Sequence, residues 1–171
     1  MLRVSCLCLA LLMLSWPGTV AAQVYLGVGL RLDRDHVVDA TTIDGPTFDL
    51  TLGYQVWDGR RLGIAAELSL TPTPVADADI VSGPFAKLSV LAHLRALSGA
   101  GPFARVGLVE GTVERQERRE IRGQTYGLGY EWRGSGAFAY RVEITQARLT
   151  ASDGARALRR ERVGFEAIYR F

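Results

Sequence analysis

Cysteine and histidine are both scarce in this chain, and so are long apolar runs. There are two cysteines, Cys6 and Cys8, and both fall within the first 22 residues. Everything after them therefore lacks a disulfide framework, a thiolate nucleophile and any Cys-ligated metal. His36 and His93 are the only histidines, so imidazole chemistry has two possible anchors. Beyond residue 22 no stretch has 18 consecutive apolar residues, which excludes a membrane-spanning helix there. Charge of one sign is also missing. Twenty Lys and Arg face 18 Asp and Glu in the full sequence, without long blocks of either sign. That balance argues against an electrostatic nucleic-acid partner.

The N-terminus has a readable purpose. Arg3 supplies a positive charge, and Leu7 to Leu14 is an unbroken apolar run. Ser15-Trp16-Pro17-Gly18 then breaks it, and Val20 and Ala22 stand where a signal peptidase needs small residues. Residues 1–22 are read as a secretory signal peptide. The run is too short to span a bilayer as a helix, although an uncleaved anchor is the alternative. Cys6 and Cys8 lie before or inside the run, the wrong place for a lipoprotein cysteine. The mature chain is taken as residues 23–171, which is 149 of the 171 residues, with 19 basic and 18 acidic side chains after Arg3 is removed. That length suits one domain.

Within it, apolar and polar or small residues alternate with period two, the strand signal. Eight segments show it: Gln23–Leu32, Thr47–Val56, Arg61–Leu70, Phe85–Arg95, Pro102–Thr112, Arg122–Trp132, Gly136–Leu149 and the C-terminal run through Val163, Phe165, Tyr169 and Phe171. Short Gly- or Asp-bearing turns follow the second, fourth and sixth segments, as at Asp58-Gly59 and Gly134-Ser135-Gly136, where hairpins need positive φ. Longer polar stretches follow the others: Asp33–Pro46, Thr71–Pro84, Val113–Ile121 and Thr150–Arg160. Short turns at one rim and long loops at the other describe an all-β, eight-stranded antiparallel up-and-down transmembrane barrel. An even strand count puts both mature ends at the short-turn rim.

Residue size says which face is outside. An eight-stranded barrel has an interior barely wide enough for side chains. Glycines (Gly27, Gly29, Gly53, Gly63, Gly107, Gly127, Gly129 and Gly164) share the polar face, while Leu, Val, Phe and Tyr crowd the other. The bulky apolar face is therefore convex and needs lipid; a soluble barrel would turn it inward. Tyr54, Trp57, Trp132, Tyr169 and Phe171 gather at the short-turn ends, as an interfacial girdle does. The polar face carries Arg31, Asp49, Glu67, Lys87, His93, Arg105, Glu131, Arg141, Glu143, Glu166 and Arg170. In a narrow lumen these charges must pair, which predicts an Arg–carboxylate network plugging the interior. The alternative is a water-filled pore with a charged constriction.

Two stretches carry a resemblance: Tyr25-Leu26-Gly27-Val28-Gly29-Leu30 opening the first strand, and Gly164-Phe165-Glu166-Ala167-Ile168-Tyr169-Arg170-Phe171 closing the last. With the signal peptide, they resemble the small outer-membrane β-barrel family, of the OmpA-like transmembrane domain type. The resemblance implies residence in the bacterial outer membrane with both mature termini in the periplasm. It also implies a monomer in contact with outer-membrane lipid and lipopolysaccharide, with Tyr169 and Phe171 serving as the signal read by the barrel-assembly machinery. The peptidoglycan-binding domain that follows the barrel in OmpA has no counterpart before the chain stops at Phe171, so cell-wall tethering is not carried over. Nor is catalysis. Small outer-membrane lipid A deacylases place a His and a Ser two residues apart, whereas here His93 is followed by Leu94 and Arg95. Asp33, Asp35 and His36 read as a solvated loop rather than a metal site. No catalytic, cofactor or metal residue is assigned. The loop arginines Arg115, Arg118, Arg119, Arg159 and Arg160, with Arg156 and Arg162 nearby, are candidate lipopolysaccharide contacts, because guanidinium forks suit phosphate.

Overall fold

A computed structural model describes residues 23–37, 42–59, 61–77, 80–94, 100–114, 118–134, 136–151 and 156–171. The signal peptide reading lies outside them. The chain forms β1 (Val24–Val37), β2 (Thr42–Asp58), β3 (Leu62–Thr71), β4 (Val75–Asp77), β5 (Ile80–Leu94), β6 (Gly101–Glu114), β7 (Arg118–Arg133), β8 (Phe138–Ala151) and β9 (Arg156–Arg170). Each of the long strands pairs antiparallel with its neighbours in sequence. β3 pairs with β5, and β9 returns to β1 to close the sheet. The wall is thus an eight-stranded up-and-down barrel, and β4 is a short extra ribbon on β5.

The register fixes how the barrel closes. One circuit of cross-strand partners runs Tyr25, Gly53, Glu67, Ser89, Gly107, Thr125, Ala147, Arg160 and back to β1 at Asp35. It starts at residue 25 and returns at residue 35, a stagger of ten residues. Such a stagger over eight strands tilts them by roughly 40° to the axis.

Alternation sorts the residues as the sequence reads. Outside lie Leu30 (67% exposed), Leu128 (70%) and Ile144 (67%), together with Leu26, Val28, Val90, Val106, Phe165 and their neighbours. Inside lie the charges and the glycines. The glycines have a sharper purpose than curvature alone, because inward side chains lie across them. A Cβ on Gly53 would stand 2.0 Å from Cζ of Tyr25, and one on Gly164 would stand 2.0 Å from Cδ of Arg31. Around the short-turn end of β7, β8 and β9 the outer aromatics touch: Phe138 meets Tyr169 edge-on at 5.3 Å, and Tyr140 stacks on Phe165 at 5.9 Å.

The connections at the other rim differ from the sequence reading. Most of Asp33–Pro46 is strand, as are Glu114 and the residues from Arg118 on, and β9 already begins at Arg156. Asp33, Asp35 and His36 therefore belong to β1, not to a solvated loop. Polarity there had suggested a loop, but the alternation continues through it. Above the apolar band the outward positions become polar, as in the exposed pair Arg34–Asp44 at 3.0 Å. The Thr71–Pro84 stretch contains β4, which packs Val75 into the mouth of the barrel.

Two outcomes follow for the purified chain. Boiling should shift its band on a denaturing gel, and an unshifted band would count against a closed barrel. Gly53→Val should lower stability to urea unfolding in vesicles by about 1–3 kcal/mol, since it forces Tyr25 off its place.

Candidate functional site

The inward face is the most densely organised part of the molecule. Its middle is built around Glu67. That carboxylate accepts from the Tyr25 hydroxyl at 2.5 Å, from Arg105 Nη2 at 2.6 Å and from Arg141 Nη1 at 2.5 Å. Arg105 donates its other Nη to Glu143 at 2.8 Å. Arg141 donates Nε to Glu131 at 2.7 Å, and Glu131 also accepts from Arg170 Nη2 at 2.5 Å. The Arg141 guanidinium lies 5.3 Å from the Tyr25 ring centre and 5.4 Å from that of Phe103, so aromatic faces cover charge that carboxylates do not reach.

One layer further toward the loop end, Asp49 accepts from Arg31 Nε at 3.2 Å, Arg162 Nη1 at 3.3 Å and Thr71 Oγ1 at 2.5 Å. Arg162 also grips Asp33 with both prongs, at 2.8 and 2.7 Å. Arg160 does the same to Asp35, and Ser82 donates to that carboxylate at 2.6 Å. The Arg160 guanidinium lies on the Phe85 ring, 3.6 Å from its centre.

Each residue named for the lumen can now be placed. Arg31, Asp49, Glu67, Lys87, His93, Arg105, Glu131, Arg141, Glu143 and Glu166 are buried, and Arg170 is half-buried beside Glu131. Glu166 lies 3.6 Å from both Arg31 and Arg141. His93 stands 3.8 Å from Glu131 and 5.7 Å from the Phe103 ring. Lys87 is buried with no side-chain ion pair or hydrogen bond among the described residues. Among the inward residues described, seven buried or half-buried cations (Arg31, Lys87, Arg105, Arg141, Arg160, Arg162, Arg170) face eight carboxylates (Asp33, Asp35, Asp49, Glu67, Glu131, Glu143, Glu166 and, at the short-turn end, half-buried Asp58).

Arg160 is a correction. It is 2% exposed and bound to Asp35, so it cannot meet lipopolysaccharide. β9 starts four residues before it, and that register turns 160 and 162 inward. Arg118 and Arg159 are exposed on the outer wall, and Arg119 is exposed at the loop-end rim on the inward-facing side of β7, opposite Val113, while Arg115 lies outside the described residues. Tyr169 and Phe171 point outward at the short-turn end.

Sequence reasoning missed Asp33, Asp35, Arg160 and Arg162 as lumen groups. Continuing the alternation of 27, 29 and 31 to 33 and 35 would have found them. It also missed that apolar groups share the lumen with the charges. Toward the loop end lies an apolar cluster that includes Ile43, Val113, Ile121, Leu149 and Leu158. At the short-turn end a second, of Tyr25, Ala65, Leu91, Phe103, Ala139 and Ile168, is interleaved with Arg141, Glu131, His93 and Arg170. Among the described residues no group of His, Cys, Asp and Glu is arranged to hold a metal.

A closed, all-antiparallel eight-stranded barrel with apolar side chains outside is the fold of small outer-membrane barrels. Solved structures of that class share it. Ail, the attachment invasion locus protein of Yersinia pestis, matches with a TM-score of 0.62 at 16% identity over 88% of this chain and 99% of that one. Neisserial surface protein A matches at 0.60, with 12% identity over 86% and 97%. The N-terminal barrel of Pseudomonas aeruginosa OprF matches at 0.51, with 11% identity over 84% and 97%. No protein-family profile matches the sequence, and no curated protein matches it closely enough to count as a relative.

The hub makes a sharp expectation. Glu67→Gln removes the carboxylate shared by two fully buried guanidiniums, leaving Glu143 to Arg105 and Glu131 to Arg141, which should destabilise the barrel by about 3 kcal/mol in urea unfolding. A loss under 1 kcal/mol would mean that Glu143, Glu131 and Glu166 neutralise them without Glu67.

Proposed function

We propose that this chain is a monomeric, integral outer-membrane β-barrel with a closed lumen, acting through its loop-end surface and not by catalysis or conduction. The observation that carries the reading is the inverted distribution of side chains. A continuous belt of exposed Leu, Val, Ile, Phe and Tyr encircles a charged interior. In water such a belt would drive aggregation, and in a bilayer it is the required surface. Residence in the outer membrane puts the short turns, the mature N-terminus and Phe171 in the periplasm, with Tyr169 and Phe171 offered to the barrel-assembly machinery. The loop end then faces outward, where adhesion or surface protection takes place. The neighbour Ail is named for attachment and invasion, and the shared architecture makes a surface role of that kind the leading one here.

Closure of the lumen is supported by its packing. A bare charged column could be wetted from end to end, whereas an apolar cluster at the loop end and apolar side chains interleaved with the charges at the short-turn end oppose a continuous water path. Reconstitution in planar bilayers tests this. The wild-type chain should give no steady conductance, and sustained openings would replace the plug with the narrow-channel reading. Membrane residence is tested separately by fractionation: a chain recovered in the soluble periplasmic fraction would overturn it.

A further inference from the structure

The wall of the barrel is not equally bonded all the way round. β3 stops at Thr71, its pairing with β2 ending at Leu70–Leu50 and its pairing with β5 at Thr71–Phe85. β2 and β5 both run further toward the loop end, to Thr42 and Ile80. The notch between them is filled by β4, three residues long. β4 is in register with β5 through Val75–Ser82, Ala76–Val81 and Asp77–Ile80. Its other edge faces β2 without a ladder. Among the described residues, the one hydrogen bond across that seam runs from the Phe48 amide to Thr73 Oγ1, at 3.0 Å.

The sequence explains why the seam carries no ladder. Along β2 the amides that face it recur at every second residue. The one after Phe48 belongs to Pro46, which has no N–H to give. Pro74 brings a second such residue to the facing edge, with Pro72 and Pro84 beside it, and all four prolines are exposed. Sliding β4 along β2 therefore cannot complete the pairing. What keeps β4 in place on this side, besides the Thr73 contact, is one side chain. Val75 is 4% exposed and joins the apolar cluster beside Ile43 and Phe85. Gly45 makes its place, because a Cβ there would stand 3.0 Å from Val75 Cγ1. The top of β5 is anchored in another way: Ser82 donates to Asp35 and accepts from Arg160, which ties β5 across the mouth and leaves β4 out.

We propose that β4 is a flap. It swings on its β5 ladder away from β2, Val75 leaves the cluster, and the apolar upper lumen opens sideways through the notch at Ile43 and Gly45. Segments with few buried contacts and few ladder bonds are the ones that open locally while the rest of a fold stays shut, and β4 is such a segment in a wall whose long strands are otherwise laddered to both neighbours. The side entrance is shallow. Beneath the cluster, Arg160 holds Asp35 and Arg162 holds Asp33 by both prongs, so the lumen stays closed along its axis whether the flap is in or out. Opening would free the upper edge of β2 and uncover apolar side chains together. The flap is thus the part of the loop-end surface that can change what it presents. The inference needs only the closed barrel, and neither the membrane reading nor the plug.

The test places cysteines in the full mature chain, which has none of its own. A Cβ on Gly45 would lie 3.9 Å from Cβ of Val75, a spacing that suits a disulfide. Gly45→Cys with Val75→Cys should therefore oxidise to a cross-link that locks β4 onto β2. Hydrogen exchange is then followed at two amides of the folded chain, Phe48 at the seam and Leu149 on β8, which is laddered to both neighbours. In wild type and in the reduced pair, Phe48 should exchange about tenfold faster than Leu149 or more. Oxidation should slow Phe48 by a similar factor and leave Leu149 unchanged. Reduction should restore the faster rate in the same molecules, which separates a lock from misfolding. Val75→Cys alone should react with a water-soluble maleimide about tenfold faster than Leu149→Cys, although both positions are buried in one cluster. Thr73→Val, which removes the contact to Phe48, should quicken that reaction further. Equal maleimide rates at 75 and 149, or exchange at Phe48 that oxidation leaves unchanged, would overturn the flap.

Discussion

Closure of eight strands into a barrel is the constraint on which everything else depends. It makes an interior so narrow that inward groups find their partners among the other inward groups, with Lys87 the exception among those described. Water cannot be relied on, and an unpaired buried charge costs several kcal/mol. The balanced set of guanidiniums and carboxylates follows from that rule. So do the glycines beneath Tyr25 and Arg31, which vacate the space that those long side chains need to cross the lumen.

The pairing is possible only because of the stagger. Arg162 and Asp33 are 129 residues apart in sequence, and Arg160 and Asp35 are 125 apart. They are neighbours because β9 pairs with β1. Arg105 and Arg141 reach Glu67 from β6 and β8, across the lumen rather than along the wall. The Glu67 pairs thus act as struts between strands that share no backbone hydrogen bonds. Sheet closure and lumen chemistry depend on each other: the register aligns the charges, and mismatched charges would resist that register.

Much of this was legible in the sequence because strand period is insensitive to context. Arg31 and Glu166 could be assigned to the lumen from alternation alone. The identity of each partner could not, because partners are set by tilt and stagger, which are properties of the closed sheet. The upper wall was misread for a different reason. Polar residues at Asp33, Asp35 and Arg160 look like loop, yet a strand that rises above the lipid has no need of apolar residues outside, and its inward side still needs charges. Polarity there reports the end of the bilayer, not the end of the strand. The apolar clusters at Phe103 and Leu149 were hidden for the same reason, since an inward apolar residue in a barrel with an apolar exterior breaks the simple two-sided pattern.

Alternation also separates the two sides of the wall energetically. Inward residues other than Lys87 are largely committed to one another, so the lumen has little left with which to recognise anything else. Outward residues below the polar row are committed to lipid. What remains free is the upper outer wall and the connections above it, and there the charges are unevenly paired. In a structure whose interior is matched so closely in charge, an exposed Arg148 set against Arg159 is not accounted for by the needs of folding. Recognition is therefore most economically placed on that rim, on the side formed by β7, β8, β9 and β1, where outward charges of both signs meet the edge of the apolar belt.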